Sequence, residues 1–187
     1  MHPLHSKHWK PMRTLTSPEE RESAREVWAS VYRTRDPFEF PFRLGWLAVV
    51  FNRTKGYHLS EEQFDALVGA ASALGDDEIF VVQSEYGGDF FAEQPIWALT
   101  PDTSYGEYRS LPLGIENSIF SCAGRWGGLL SQHFYCLVGG GWEFTNLLKE
   151  RYEKAADDKH QFQQDWTEEG DKFPQGRVSD LLPRLTS

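Results

Sequence analysis

The stretch from Asn117 to Leu148 limits the fold most tightly. Ile119-Phe120-Ser121-Cys122 reads as a strand, Ala123-Gly124-Arg125 as a turn, and Trp126 to Ser131 as a second strand. Gln132-His133 turns again, and Phe134 to Val138 gives a third strand. Gly139-Gly140-Gly141 then reads as a hinge, because glycine reaches backbone conformations closed to other residues. From Trp142 to about Lys159 the apolar spacing of Phe144, Leu147, Leu148 and Tyr152 predicts one amphipathic helix. A three-stranded meander followed by a covering helix belongs to an α+β domain.

The upstream chain supplies the partners of that meander. Ser17-Pro18-Glu19-Glu20 carries a cap, a proline suited to the first helical position and a capping-box glutamate. Ala24, Val27, Trp28, Val31 and Tyr32 follow at helical spacing. Asp36 to Phe42 breaks the helix with alternating prolines and aromatics, as an extended strap does. Leu44 to Phe51 is apolar at both parities and reads as a central strand. Ser60 and Gln63 open a second capping box, Phe64, Leu67, Val68, Ala71 and Leu74 make its stripe, and Gly75 stops it. Glu78 to Ser84 and Ile96 to Leu99 are further strands, and residues 101–116 are turn-rich with Tyr105, Tyr108 and Leu111 as anchors. The expectation is a single α+β domain over residues 16–164, with a mixed or mainly antiparallel sheet under about three helices. Residues 1–15 are expected to be a flexible lead, and 165–187 a charged tail docked in part near Val178 to Leu182.

Charge is distributed unevenly. Residues 1–60 hold ten Lys/Arg against six Asp/Glu, residues 61–120 one against twelve, and residues 121–187 eight against ten. An acidic middle third repels nucleic acid and attracts basic proteins. The longest apolar run is strand-sized, far below the roughly 20 residues of a membrane span, and no apolar leader follows the first basic residues. Cys122 and Cys136 fall on the first and third meander strands, about 9–10 Å apart, too far for a disulfide, as expected in a reducing cytoplasm.

Several chemistries have candidate residues in the chain. A cysteine nucleophile at Cys122 or Cys136 would need His133 as base, with Asp89 or Glu116 to orient it. His58 with Glu61 and Glu62, or Asp76-Asp77-Glu78, offers metal-ligating types without a metal-site spacing, so no metal and no cofactor are expected. His2, His5 and His8 share a helical face only if Pro3 and Pro11 permit a helix, which they oppose. The glycine triplet lacks the lysine of a phosphate loop, and Glu143 would repel a phosphate. Aromatics among acids suit a surface for a basic protein. Tyr86, Asp89, Phe90, Glu93, Asp102 and Glu107 are its expected contacts, with Arg125 and Trp126 at the first meander turn.

The C-terminal pattern is carried by a strand ending near Ser121, Gly-Arg-Trp-Gly at Gly124 to Gly127, an apolar strand to Ser131-Gln132-His133, then Val138-Gly139-Gly140 and a helix with Glu143-Phe144. It resembles uncharacterised bacterial proteins and, more loosely, the C-terminal end of the SUKH-type immunity proteins of bacterial toxin systems. That resemblance implies a single α+β domain that binds and neutralises a partner toxin without chemistry of its own. The first expectation is therefore an immunity-type protein holding a basic toxin domain, such as a nuclease. A small cytoplasmic enzyme using Cys122 and His133 is the alternative, and a scaffold dimerising through the Phe38 to Phe42 strap is the third.

Overall fold

The computed structural model describes residues 12–36, 38–85, 88–168 and 181–186. Seven strands form one sheet: β1 (Arg13–Thr14), β2 (Leu47–Phe51), β3 (Ile79–Gln83), β4 (Ile96–Leu99), β5 (Asn117–Ser121), β6 (Trp126–Leu130) and β7 (Cys136–Gly140). Their order is β1-β4-β3-β5-β6-β7-β2, and every pairing is antiparallel. Among the described residues six α-helices accompany it: α1 (Pro18–Val31), α2 (Glu61–Leu74), α3 (Phe90–Glu93), α4 (Tyr105–Arg109), α5 (Trp142–Arg151) and α6 (Ala155–Glu168). The α+β reading is correct, and the meander β5-β6-β7 sits within the sheet.

Alternate residues of each strand point to opposite faces, and here both faces are covered. Val49, Phe51, Ile79, Val81, Leu99, Ile119 and Val138 join one core with side chains of α2, α4 and α5. Ala48, Val50, Phe80, Val82, Ala98, Phe120 and Leu137 join a second with α1, α3, α6 and the strap residues Phe40 and Phe42. Two apolar faces explain why β2 is apolar at both parities although it lies at the sheet edge and not at its centre. Its outer edge is partly closed by the C-terminal segment, through a bridge between Ala48 and Leu185 and the bond from Thr186 N–H to Ala48 O (2.8 Å).

Local signals fixed the helix starts. Both capping boxes form, Ser17 with Glu20 and Ser60 with Gln63. A third, Ser104 with Glu107, opens α4 inside the segment expected to be only turns. Gly75 ends α2 in the left-handed region at φ 85°.

Four expectations are corrected. Arg13 to Leu15 is not a flexible lead: β1 pairs with β4 and Leu15 is buried. The helix after the meander is two helices, interrupted at Tyr152, whose backbone leaves helical geometry (ψ 86°). Through this break α6 turns around the sheet, so that Ala155 packs in the first core and Phe162 in the second. The helix runs on to Glu168, beyond the expected start of the tail. The expected docking turn is described only from Leu181 on, with Leu181 and Leu185 in the second core; Val178 to Asp180 and the triplet His2, His5 and His8 lie outside the described residues.

The glycine hinge is the fourth correction. Gly139 and Gly140 are strand residues, and none of the three has a positive φ. They are glycine for want of space. A Cβ on Gly139 would stand 2.5 and 2.8 Å from ring atoms of Phe42, and one on Gly140 2.5 Å from Phe144. Gly141 only precedes α5, with open space around it.

Candidate functional site

The eight residues expected at a partner surface do not form one surface. Asp89 caps α3 by accepting from Ala92 N–H and pairs with Arg25 of α1 (2.7 Å). That guanidinium holds the Asp89 carboxyl below its usual range. Glu93 is exposed beside it. Phe90 is buried at 6% exposure in the second core, against Trp28 and Phe91. Asp102 follows the far end of β4, so the length of that strand separates it from Asp89 and Glu93, and Glu107 lies on α4 over the opposite face of the sheet. Tyr86 lies outside the described residues.

Trp126 and Arg125 serve the interior. Trp126 is fully buried and stacks on Phe144, with ring centroids 5.0 Å apart. Its indole N–H donates to Asp76 Oδ2 (2.6 Å); Asp76 Oδ1 accepts from Ser121 Oγ (2.8 Å) and from Arg125 (2.6 Å). Asp76 has no exposed side-chain surface. Phe90 and Trp126 are thus corrected from partner contacts to core residues: large rings beside polar loops contribute more by burial than by display.

The charge asymmetry of the sequence is settled in part inside the molecule. Acids of the middle third meet bases of the flanking thirds: Glu78 with Arg13, Asp89 with Arg25, Asp76 with Arg125, and Glu62 with Lys154. Glu107 is engaged by its own capping box.

The nucleophile residues are not assembled either. Cys122 follows β5 at the end where β6 begins, and His133 follows β6 at its other end, so about 15 Å of strand lies between them. Cys136 is near His133 in sequence but faces the first core, whereas His133 packs on Phe38 and lies near Trp166 on the second. Burial raises both thiols, and Asp76 and Glu78 raise Cys122 further. At neutral pH, alkylation followed by mass spectrometry is expected to label Cys122 more slowly than a free thiol, and Cys136 only after unfolding. Among the described residues no group of three His, Cys, Asp or Glu side chains is placed to hold a metal ion, and no helix is long and apolar enough to cross a membrane.

One end of the second face does gather chemistry. Ser84 and Glu116 are directly opposite on β3 and β5, one residue beyond the Gln83–Asn117 pair, and Ser84 N–H donates to Glu116 O (2.9 Å). Both continue the parity of Val82 and Ser118, so their side chains share the second face. Glu116 is half-buried, and burial raises its carboxyl, with Glu85 and Asp36 adding repulsion and Arg35 opposing it. Tyr135 is buried next to these acids, its phenol pushed up by burial and by Glu116 and Asp36. Around them stand Phe38, His133 and Trp166, with Phe38 to Trp166 at 5.7 Å and Tyr135 to Trp166 at 5.6 Å. Arg35 lies over Phe90 at 5.4 Å. Asp89 and Glu93, between β3 and β4, lie at the same end of the sheet, where the end of β3 pairs with the start of β4. A sequence signal for it existed: Ser84 and Glu116 are polar positions that extend the buried parity of apolar strands.

Comparison of the chain with protein-family models, with curated proteins and with solved structures gives no match.

Proposed function

We propose that this is a binding protein for a basic protein partner, engaged at the end of the sheet where Asp36, Glu85 and Glu116 meet. The observation that carries the reading is that convergence. Three carboxylates from three separate segments lie close enough to interact: burial raises the Glu116 carboxyl, and repulsion from Glu85 and Asp36 raises it further against the pull of Arg35. Neither Glu85 nor Glu116 forms an ion pair among the described residues, whereas Glu62, Asp76, Glu78 and Asp89 of the same third each meet a base. Like charges brought together at a cost to the fold are explained by an opposite charge arriving from outside. Asp89 and Glu93 extend the acidic edge; Asp102 and Glu107 do not belong to it.

The resemblance of the Asn117 to Leu148 pattern to SUKH-type immunity proteins supports a partner of one kind: a toxin domain of basic surface, such as a nuclease, held inactive in the bacterial cytoplasm. The two free cysteines suit a reducing compartment. Titrating the protein with the product of the adjacent reading frame, at low and high salt, tests the reading. A saturable complex that weakens with salt is expected, and the double reversal Asp89→Lys with Glu93→Lys weakens it by roughly tenfold or more. A complex insensitive to both salt and reversal removes the electrostatic basis of the proposal.

A further inference from the structure

We infer that Ser84, Glu116 and Asp36, backed by the rings of Tyr135, Phe38 and Trp166, form a subsite for one organic cation, the guanidinium or ammonium of a basic side chain. The inference rests on the binding reading above and names its anchoring contact.

Two independent observations meet here. The first is the cluster of acids beside aromatic rings. Carboxylates supply charge and hydrogen-bond acceptors, and ring faces attract a partly desolvated cation. The second is Ser84. Its residue is 2% exposed and its Oγ has no hydrogen-bond partner among the described residues. A buried unsatisfied hydroxyl costs about 1–3 kcal/mol. This one stands across the strand pair from Glu116, on the same face, at the Cβ spacing of about 4.5–5.5 Å typical of such pairs. The fold leaves this polar capacity unused next to a carboxylate that has no ion pair among the described residues.

The arrangement favours an organic cation over a metal ion. No metal-binding group is assembled among the described residues, and a hard cation has no use for aromatic walls. The resident Arg35 shows how a guanidinium is accommodated nearby: it lies over the Phe90 ring while lowering the proton affinity of Glu116. Asp36 accepts from Phe38 N–H (2.9 Å), which ties the acid to the ring beside it.

Glu116 also allows a test that separates this role from a structural one. Its folded-state carboxyl lies above the ordinary value of 4.5. A carboxyl shifted up contributes its stability in full at acid pH and loses it as pH rises from the unfolded value through the folded one. At neutral pH the ionised group therefore opposes folding, and Glu116→Gln is expected to raise the melting temperature while weakening the ligand. A merely structural glutamate would lower it.

The experiment titrates the full chain with acetyl-arginine amide, acetyl-lysine amide and the neutral acetyl-citrulline amide, following the Trp166 indole resonance by NMR. Saturable shifts with one or both cations and none with citrulline are expected, and the relative affinities say which cation the subsite takes. Glu116→Gln weakens binding about tenfold, as loss of a charge-assisted bond does, while Asp102→Asn beyond the far end of β4 leaves it unchanged. Equal shifts with citrulline, or a Glu116→Gln protein that titrates like the wild type, overturn the subsite. If in that event the toxin-domain complex still weakens on Asp89→Lys with Glu93→Lys, the binding reading stands without its anchor; if that complex is insensitive as well, both fall.

Discussion

Asp76→Ala is expected to destabilise the protein by about 3–5 kcal/mol, the range for breaking a buried charged network. Its carboxylate has no solvent exposure and accepts from Ser121 Oγ, Trp126 Nε1 and Arg125. Truncation strands the indole donor of a fully buried tryptophan and a buried serine hydroxyl at once. Arg125 keeps 39% of its side chain exposed and bonds Leu74 O (2.7 Å), so water and that carbonyl take over its needs. The loss therefore comes mainly from the two neutral donors. Asp76→Asn should fall between Ala and wild type, at about 1–3 kcal/mol, because an amide offers one acceptor where two are used. Arg125→Met should cost the least. Urea unfolding followed by tryptophan fluorescence orders the three variants; an Arg125→Met protein less stable than Asp76→Ala would reverse the argument.

This network shows where the sequence was legible and where it was not. Ser17 with Glu20, and Ser60 with Gln63, were readable because a capping box closes within four residues. The meander was readable because turn residues and short apolar runs alternate within a hairpin's length. Asp76 lies in the turn after α2, and nothing local shows that the chain folds Ser121, Arg125 and Trp126 onto it. The edge position of β2 was hidden for a related reason. An apolar pattern at both parities reports that both faces are covered, not how many neighbours flank the strand. Charge totals misled in the same way: twelve acids in one third of the sequence suggest an acidic surface, but Arg13, Arg25, Arg125 and Lys154 arrive from elsewhere to meet four of them. What that pairing leaves is smaller and better placed. Asp36 joins Glu85 and Glu116 only through the path of the strap, which sequence spacing does not encode.

Gly139→Ala should destabilise strongly and Gly141→Ala hardly at all, although the two glycines are two residues apart. The added methyl at Gly139 meets the ring of Phe42, which is fully buried and boxed by Tyr32, Phe40 and Trp46 at centroid distances of 5.7, 5.5 and 6.1 Å. Its backbone is also bridged to Tyr32, so the ring has no direction in which to retreat. Overpacking of this kind costs about 1–3 kcal/mol, and Gly139→Val, with two further methyls, should exceed that. At Gly141 the backbone is ordinary (φ −64°) and an added methyl meets nothing within 4 Å. A hinge would give the opposite ranking, because conformational freedom matters most where the chain turns into the helix. The decisive measurement is a double-mutant cycle. Phe42→Leu alone opens a cavity and destabilises, but combined with Gly139→Ala it supplies the space the methyl requires. The pair should be more stable than the sum of the single losses by about 0.5–3 kcal/mol, the coupling range of residues in direct contact. Strict additivity would mean that Gly139 is glycine for the backbone after all, and that the notch between β7 and the strap does not hold the second core in register.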